Sequence, residues 1–404
     1  MLFIERAIDL LKDGGCLAFS LSNSFLKSTS GQTVRGYIAA NGCVEEIVEF
    51  NDPRTYADAT TQIALLRLRK TRRRFGGRHV FVRGQGHLRR KLDGLISGRL
   101  NPDISITPLQ PEATASSRWR LTTSEDSSWL DGTVRAGIPL DRLATMEYGP
   151  STALDPVLLL KQISRSMNGN ILVQARNSTQ PIQLEEAAMQ YVVRGRHIRG
   201  YRPTILRYLH PFPYDACGRV LSERSLQDRC PLMYSYLLLH RAKLAQRSLS
   251  KGCRWYSTFC HYQQVGVRSP RLFSARIVST GSFTLVDDPA VLAHNSVIAL
   301  TPRVGIVDIC YLLGILNSRI FGRYVSLVMP PINAGRHSIR LSKLRRFPVP
   351  DPQLEGNREA CMHIASLVRD LTRVPMGRPL PPDIMTTIEN EVAHLYGSSG
   401  LMSP

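Results

Sequence analysis

Lysine is scarce in this chain: of its 52 basic residues only 8 are lysine, and the rest are arginine. Acid is short as well, with 32 Asp and Glu, which leaves a formal charge of +20 and a pI near 10.0. An imbalance of this size speaks about partners rather than fold, and a polyanion is the partner it favours. Arginine's fixed charge and planar fork suit phosphates and guanine edges, although a genome rich in G and C raises arginine too. Long apolar runs are missing, since no stretch reaches the roughly 18 residues of a membrane span. The N-terminus lacks the basic, apolar and small-residue order of a signal peptide, so a cytoplasmic location is expected. The eight cysteines are scattered and none forms a Cys-x-x-Cys pair. That excludes a small disulfide framework, leaves reduced thiols as the expectation, and argues against Cys253, Cys260 and His261 as metal ligands. No phosphate-binding loop of the Gly-x-x-x-x-Gly-Lys type and no Gly-x-Ser-x-Gly elbow occurs. Gly84-Gln85-Gly86 follows a strand pattern, but Arg89 stands where a dinucleotide loop needs its third glycine. No fixed-period repeat is present.

What is present is 404 residues with 43% apolar content, enough for two or three domains with real cores. Phe3, Ile4, Ala7, Ile8 and Leu11 recur at helical spacing, and Gly14-Gly15 supplies a stop. Residues 16–21 form a short apolar run of strand length. A second helix is expected over 31–40, ended by Asn41-Gly42. Strands follow over 44–50 and 61–68, separated by a polar loop holding Asp52, Pro53, Tyr56 and Asp58. Helix, strand, helix, strand, loop, strand reads as the second half of an α/β sandwich without its early strands, leaving an unpaired sheet edge.

From Arg67 to Lys91 the chain carries eleven Arg or Lys and no acid, broken only by a strand pattern over 79–82. Without neighbouring acids, this run, with Arg72, Arg73 and Arg74, is a candidate for phosphate contact, the alternative being a solvated connector. Residues 101–137, rich in Pro, Ser, Thr and Asp, read as a linker. Beyond it, short strands are expected near 171–174, 190–193, 272–278 and 296–300. Helices are expected over 231–247, 308–322, 357–371 and 383–396. Two further constellations suit nucleic acid. RGRHIRGY, residues 194–201, sets Arg194, Arg196 and Arg199 with His197 and Tyr201 just after an apolar strand. Arg254-Trp255-Tyr256 places a cation beside two aromatics, although such aromatics are also common as half-buried packing.

Two blocks, LFIERAIDLLKDGGCLAFSLSNSFLKS (2–28) and VEEIVEFNDPRTYADATTQIALLRL (44–68), resemble the adenine-N6 DNA methyltransferases of restriction-modification systems, the Eco57I and TaqI group. The resemblance continues through a TaqI-like specificity region. Its landmarks are WRLTTSE at 119, VRGRHIRGY at 193, PLMYSYLLLHRAKLAQR at 231, RWYS at 254, YLLGILNSRI at 311, RRFPVP at 345 and IENEVAHLYG at 388. In that family a glycine-containing S-adenosylmethionine loop and an Asn/Asp-Pro-Pro-Tyr/Phe motif precede the first block. Neither occurs in this sequence, where Pro330-Pro331-Ile332-Asn333 and Pro381-Pro382-Asp383 have the wrong order and place. The region EYGPSTALDP also departs from the Gly-Ile-x-Thr-Gly stretch of many relatives.

The resemblance implies an α/β fold, a partial class I methyltransferase (Rossmann-like) sheet, followed by an α+β target recognition domain. It implies boundaries at 1–100 for the end of the catalytic domain, 101–137 for the linker, 138–350 for the recognition domain and 351–404 for a helical tail. The implied activity is transfer of a methyl group from S-adenosylmethionine to adenine N6 within a specific duplex site. Such chemistry requires the base to leave the stack. By position, Tyr56 is the expected stacking wall, and Asn23 and Ser24 line the pocket at a strand end. Arg72, Arg73, Arg74, Arg194, Arg196, Arg199, Lys243, Arg247, Arg254 and Trp255 are the expected DNA contacts. Double-stranded DNA and an N-terminal methyltransferase half or subunit are the expected partners, and the chain alone is expected to bind DNA without methylating it. A split enzyme, a start assigned too late and a decayed remnant all fit the missing motifs. The alternative function is a non-catalytic specificity subunit that docks on a separate methyltransferase.

Overall fold

The computed structural model describes residues 2–27, 31–50, 63–82, 93, 97, 104–116, 119, 121, 124–166, 168–201, 206–215, 217–260, 270–280, 282–332, 336–375 and 378–397. They divide into two compact units, one of residues 1–131 with 329–338 and one of 132–328 with 339–404.

In the first unit, α1 (Leu2–Leu10) turns its Ile4 and Ile8 into the core, as their four-residue spacing requires. Gly14 sits at φ +78, where a side chain would be strained, and its N–H donates to Lys70 O at 2.8 Å. Then come β1 (Cys16–Ser22), the short α2 (Ser24–Lys27), α3 (Gln32–Asn41), β2 (Cys43–Phe50), β3 (Ile63–Arg69), β4 (Gly77–Val82) and β5 (Ile104–Leu109). They form a mixed sheet in the order β1-β3-β2-β4-β5. β3 runs antiparallel to both β1 and β2, so these two are parallel to one another, and β4 is parallel to β2. β2 is buried along nearly its whole length, as a central strand covered on both faces must be. One face packs Ile4, Ile8, Val34, Ile38, Ile47, Leu66 and Leu68; the other packs Val48, Phe50, Val80, Val82 and Ile104. β1 is the edge, and its residues alternate between exposed and half-buried without one fully buried position.

Two expectations change here. The stretch 101–137 is not a plain linker: residues 104–109 pair with β4, and α4 (Ser124–Arg135) occupies its end. The buried Ile104 and Leu109 outweigh the local Pro and Ser content. Nor is the basic run uncompensated. Arg67 and Arg69 reach Glu45 at 3.1 and 2.7 Å, and Arg78 reaches Glu46 at 2.6 Å, the acids coming from neighbouring β2. Cross-strand pairing supplies counter-charges from more than twenty residues away in sequence.

The second unit contains β6 (Ile138–Pro139), β7 (Ala144–Tyr148), β8 (Leu160–Arg165), β9 (Asn170–Ala175), β10 (Ile182–Glu185), β11 (Met189–Val193) and β12 (Tyr208–Pro211). After them come β13 (Arg271–Ala275), β14 (Ile277–Val278), β15 (Phe283–Val286), β16 (Leu292–Ala293) and β17 (Val297–Pro302). A six-stranded sheet runs β10-β9-β8-β12-β11-β16 and a four-stranded one β15-β13-β17-β7. Helices α5 (Glu223–Arg229), α6 (Pro231–Leu239) and α7 (Arg241–Ala245) cover one face of the larger sheet through Leu226, Met233, Leu237 and Leu244 against Leu160, Ile171, Val173 and Leu184. The helix expected over 231–247 is therefore two, broken at His240. The one expected over 308–322 is also two, α8 (Ile309–Asn317) and α9 (Arg319–Val328). The tail is not a separate segment. α10 (Glu355–Arg373) buries Ile364, Val368 and Leu371, and α11 (Pro382–Leu395) buries Ile388 and Val392. A Cβ on Gly314 would meet Ile364 at 2.7 Å, so glycine lets α8 lie close to α10. Among the described residues no helix is long and apolar enough to cross a membrane. All eight cysteines are free thiols.

Candidate nucleic-acid interface

β11 ends at Val193, and the chain turns through Arg194 into a 3-10 turn, Gly195–His197. Glycine is required at 195 because a Cβ there would meet Ser296 O at 2.7 Å. Antiparallel pairing of β11 with β12 brings this turn beside Tyr208, the first residue of β12. The Arg194 and Arg196 guanidinium carbons lie 5.1 and 5.6 Å from the Tyr208 ring centroid. Arg196 Nη2 donates to Tyr208 Oη at 2.7 Å. The His197 ring stacks on the same tyrosine at 5.3 Å with planes 16° apart. Arg199, exposed at the end of the turn, donates to Arg196 O at 3.0 Å.

Burial pushes the His197 imidazolium below its ordinary value, and the charges of Arg196, Arg194, Arg199 and Arg207 push the same way. Burial also lowers Arg194, with Arg196 adding to the effect. Four guanidinium groups near one imidazole, two of them on the Tyr208 ring, repel one another, and an anion brought between them relieves that repulsion. Planar guanidinium forks on an aromatic face suit phosphate oxygens or a base edge. Tyr208 is not among the residues singled out from sequence, although the His197 that stacks on it belongs to the 194–201 stretch that is. The signal available was the Arg207-Tyr208 pair, but only strand pairing places it beside residues 194–197.

The other expected residues divide. Arg72 and Arg73 are exposed in the loop between β3 and β4, whereas Arg74 donates to Ala39 O and, at 3.5 Å, to Gly42 O at the carboxyl end of α3. A cation there complements the helix dipole. Lys243 and Arg254 are exposed. Trp255 is half-buried against the core beneath α5–α7, with Arg241 5.1 Å from its ring centroid. Arg247 faces inward: Nε donates to Leu244 O, Nη1 to Thr152 O and Thr258 O, and Nη2 to Trp255 O and Ser257 O, at 2.7–3.1 Å. All its donors are committed to backbone carbonyls, which takes it out of the interface.

In the first unit, Asn23 follows β1 and its Nδ2 donates to Glu49 Oε1 at 3.4 Å, while buried Glu49 lies 3.3 Å from His79. Ser24 opens α2, and its side chain, like the whole of Tyr56, lies outside the described residues. Among the described residues no group of three or more His, Cys, Asp or Glu could hold a metal ion.

Comparison with known proteins gives two family matches in chain order. Residues 1–56 match the Eco57I restriction-modification methylase, and residues 224–349 match the TaqI-like C-terminal specificity domain. The turn at 194–197 and Tyr208 lie between the two. The type II restriction enzyme and methyltransferase RM.Eco57I of Escherichia coli is 33% identical over 69 residues, which is 17% of this chain and 7% of that protein. Among solved structures, the type IIL restriction-modification enzyme MmeI in complex with DNA is similar at a TM-score of 0.61 and 11% identity. That similarity covers 100% of this chain and 49% of MmeI, so the chain spans about half its length. The type IIG restriction endonuclease BpuSI gives a TM-score of 0.39 at 12% identity, over 98% of this chain and 48% of that one. The chain therefore combines a segment related to restriction-modification methylases with a TaqI-like specificity domain, in a mixed α/β fold like that of MmeI.

Proposed function

We propose that this chain is the DNA-recognizing portion of a site-specific adenine-N6 methyltransferase of a restriction-modification system. The observation that carries the reading is the Arg194–Arg196–His197–Tyr208 cluster, a basic and aromatic surface in a unit that also holds the TaqI-like specificity domain. Arg194, Arg196 and Arg199 grip phosphates and set register, and Tyr208 fixes the forks of Arg194 and Arg196. Arg72, Arg73, Lys243 and Arg254 add charge that holds the duplex without reading it. Tyr56 stacks on the extruded adenine, and Asn23 and Ser24 border its pocket.

S-adenosylmethionine supplies the methyl group in such enzymes. The residues of this chain do not by themselves fit it: the glycine loop and the Asn/Asp-Pro-Pro-Tyr/Phe motif are absent from the sequence, and Asn23, Glu49 and His79 are engaged with one another. Methyl transfer therefore requires a methyltransferase portion that carries both.

The test is equilibrium binding of the full chain to duplex DNA across a salt series. Binding should weaken steeply with salt, and Arg194→Ala with Arg196→Ala should lower the slope of log K against log salt by about one per lost phosphate contact. No DNA binding, or a slope unmoved by both substitutions, refutes the reading. In a complex with the catalytic half, Tyr56→Ala should lower turnover more than affinity. Unchanged turnover would instead favour a non-catalytic specificity subunit.

A further inference from the structure

A chain of hydrogen bonds between buried and half-buried side chains runs behind the Arg194–His197 turn. Thr152 Oγ1 donates to Asp155 Oδ1 at 2.5 Å, and His294 Nε2 donates to Asp155 Oδ2 at 2.9 Å. Ser296 Oγ lies 2.8 Å from His294 Nδ1, and Gly195 N–H donates to Ser296 Oγ at 3.1 Å. Thr152 and His294 are buried, and Ser296 is half-buried. Serine, histidine and aspartate in a row suggest a hydrolase triad, but the geometry argues otherwise. Ser296 N–H also reaches His294 Nδ1 at 3.2 Å, so that nitrogen is an acceptor shared with the backbone. Ser296 Oγ in turn is held by Gly195 N–H, and no free nucleophile results.

The same imidazole ties down the strand that carries Tyr208. His210, two residues further along β12, is fully buried, stacks on His294 at 6.4 Å, and places its Nδ1 on Leu158 O. Leu158 ends the short helical turn that Asp155 begins. Two backbone contacts hold the same corner: His294 N–H donates to Val193 O at 2.9 Å, and Arg276 N–H donates to Ser296 O at 2.9 Å. The turn bearing Arg194 and Arg196 and the strand bearing Tyr208 thus share one support centred on the buried His294. The hydrogen bond from His294 holds the Asp155 carboxyl down to about 2, so it keeps its charge at any physiological pH.

We propose that Asp155, His294 and Ser296 are positioning residues for DNA binding, holding the Gly195 turn so that the Arg194 and Arg196 guanidinium groups stay on the Tyr208 ring. This rests on the DNA-binding reading of that turn. Ser296 is the sharpest probe, because Ser296→Ala removes no charge and no group that touches DNA.

The experiment compares wild type, Arg196→Ala, Ser296→Ala and Ser296→Thr as full chains. It measures binding to a duplex oligonucleotide across a salt series and amide hydrogen exchange of residues 194–199. Ser296→Ala should weaken binding about threefold to tenfold and lower the salt slope by about one, as Arg196→Ala does. Ser296→Thr, which keeps the hydroxyl, should restore both. The Gly195 amide should lose protection in Ser296→Ala while β8 and β9 keep theirs. Weakened binding by Arg196→Ala beside a wild-type slope and a protected Gly195 amide in Ser296→Ala overturns the positioning role alone. An unchanged Arg196→Ala overturns the DNA reading of the turn, and the proposal with it. Should Ser296→Ala fail to fold, Asp155→Asn, which keeps an acceptor but removes the charge opposite His294, is measured in the same way against the same outcomes.

Discussion

Replacing Arg247 by alanine removes five guanidinium donors, one each from the backbone carbonyls of Leu244, Thr152, Thr258, Trp255 and Ser257. A hydrogen bond to a charged group contributes roughly 1.5–3 kcal/mol net, but five do not add, because water can reach some carbonyls around a half-buried side chain. A buried acceptor left without its donor costs about 1–3 kcal/mol, so two or three such carbonyls together cost about 3–5 kcal/mol, a large share of the roughly 5–15 kcal/mol that holds a domain folded. With a urea slope of about 2–3 kcal/mol per molar, the midpoint of the second unit should fall by roughly 1–2 M. Lysine should recover only part of this, since a single ammonium cannot face carbonyls on opposite sides of a planar fork. Urea unfolding followed by circular dichroism measures the midpoint, and DNA binding is measured on the same samples below the transition. A wild-type midpoint together with DNA binding weakened about tenfold would refute the reasoning, because the guanidinium would then face phosphate rather than the chain's own backbone.

Acid should weaken the second unit through His210. Burial lowers its imidazolium to about 4 from an ordinary 6.5, in surroundings that include His294, Asp155 and Arg194. The unfolded chain takes up the proton near pH 6.5 and the folded one only near 4, so this contribution is complete above 6.5 and is lost between 6.5 and 4. From pH 7 to pH 5 the loss should be about 2 kcal/mol, and His210→Gln should flatten it; equal pH dependence of the two urea midpoints would contradict the assignment. Among the described residues β1 is an edge strand, and its unshared side should promote self-association by strand pairing. Ala18→Lys with Ser20→Lys should reduce the concentration dependence seen by sedimentation, and a wild type that sediments as a monomer at all concentrations would show that the edge is protected.

Local periodicity was enough to locate most elements of the first unit. The i, i+4 pair Ile4 and Ile8 buries on one helix face, and the apolar run 44–50 becomes the doubly covered β2. Chemistry of the same kind is hidden at 104–109, where Pro108 and interleaved Ser and Thr mask a strand whose order comes from its pairing with β4. The breaks at His240 and Ser318 also escaped, because both helices keep apolar residues in phase across the interruption and backbone angles carry no sequence period.

The sequence by itself determined the charge, the dominance of arginine, the absence of the cofactor motifs, and a resemblance that two family matches in the same order support. It could not say which cations are available. Arg194, Arg196 and Arg247 are one residue type in one basic background, yet Arg247 closes on Thr152 O, ninety-five positions away, while Arg196 turns to Tyr208. A guanidinium takes whatever acceptors surround it, and carbonyls distant in sequence become neighbours only when strands pair and helices pack. Tertiary structure alone decided that one arginine holds the fold together and another faces outward, and that His294 and Ser296, a hundred residues from the turn, lie behind it.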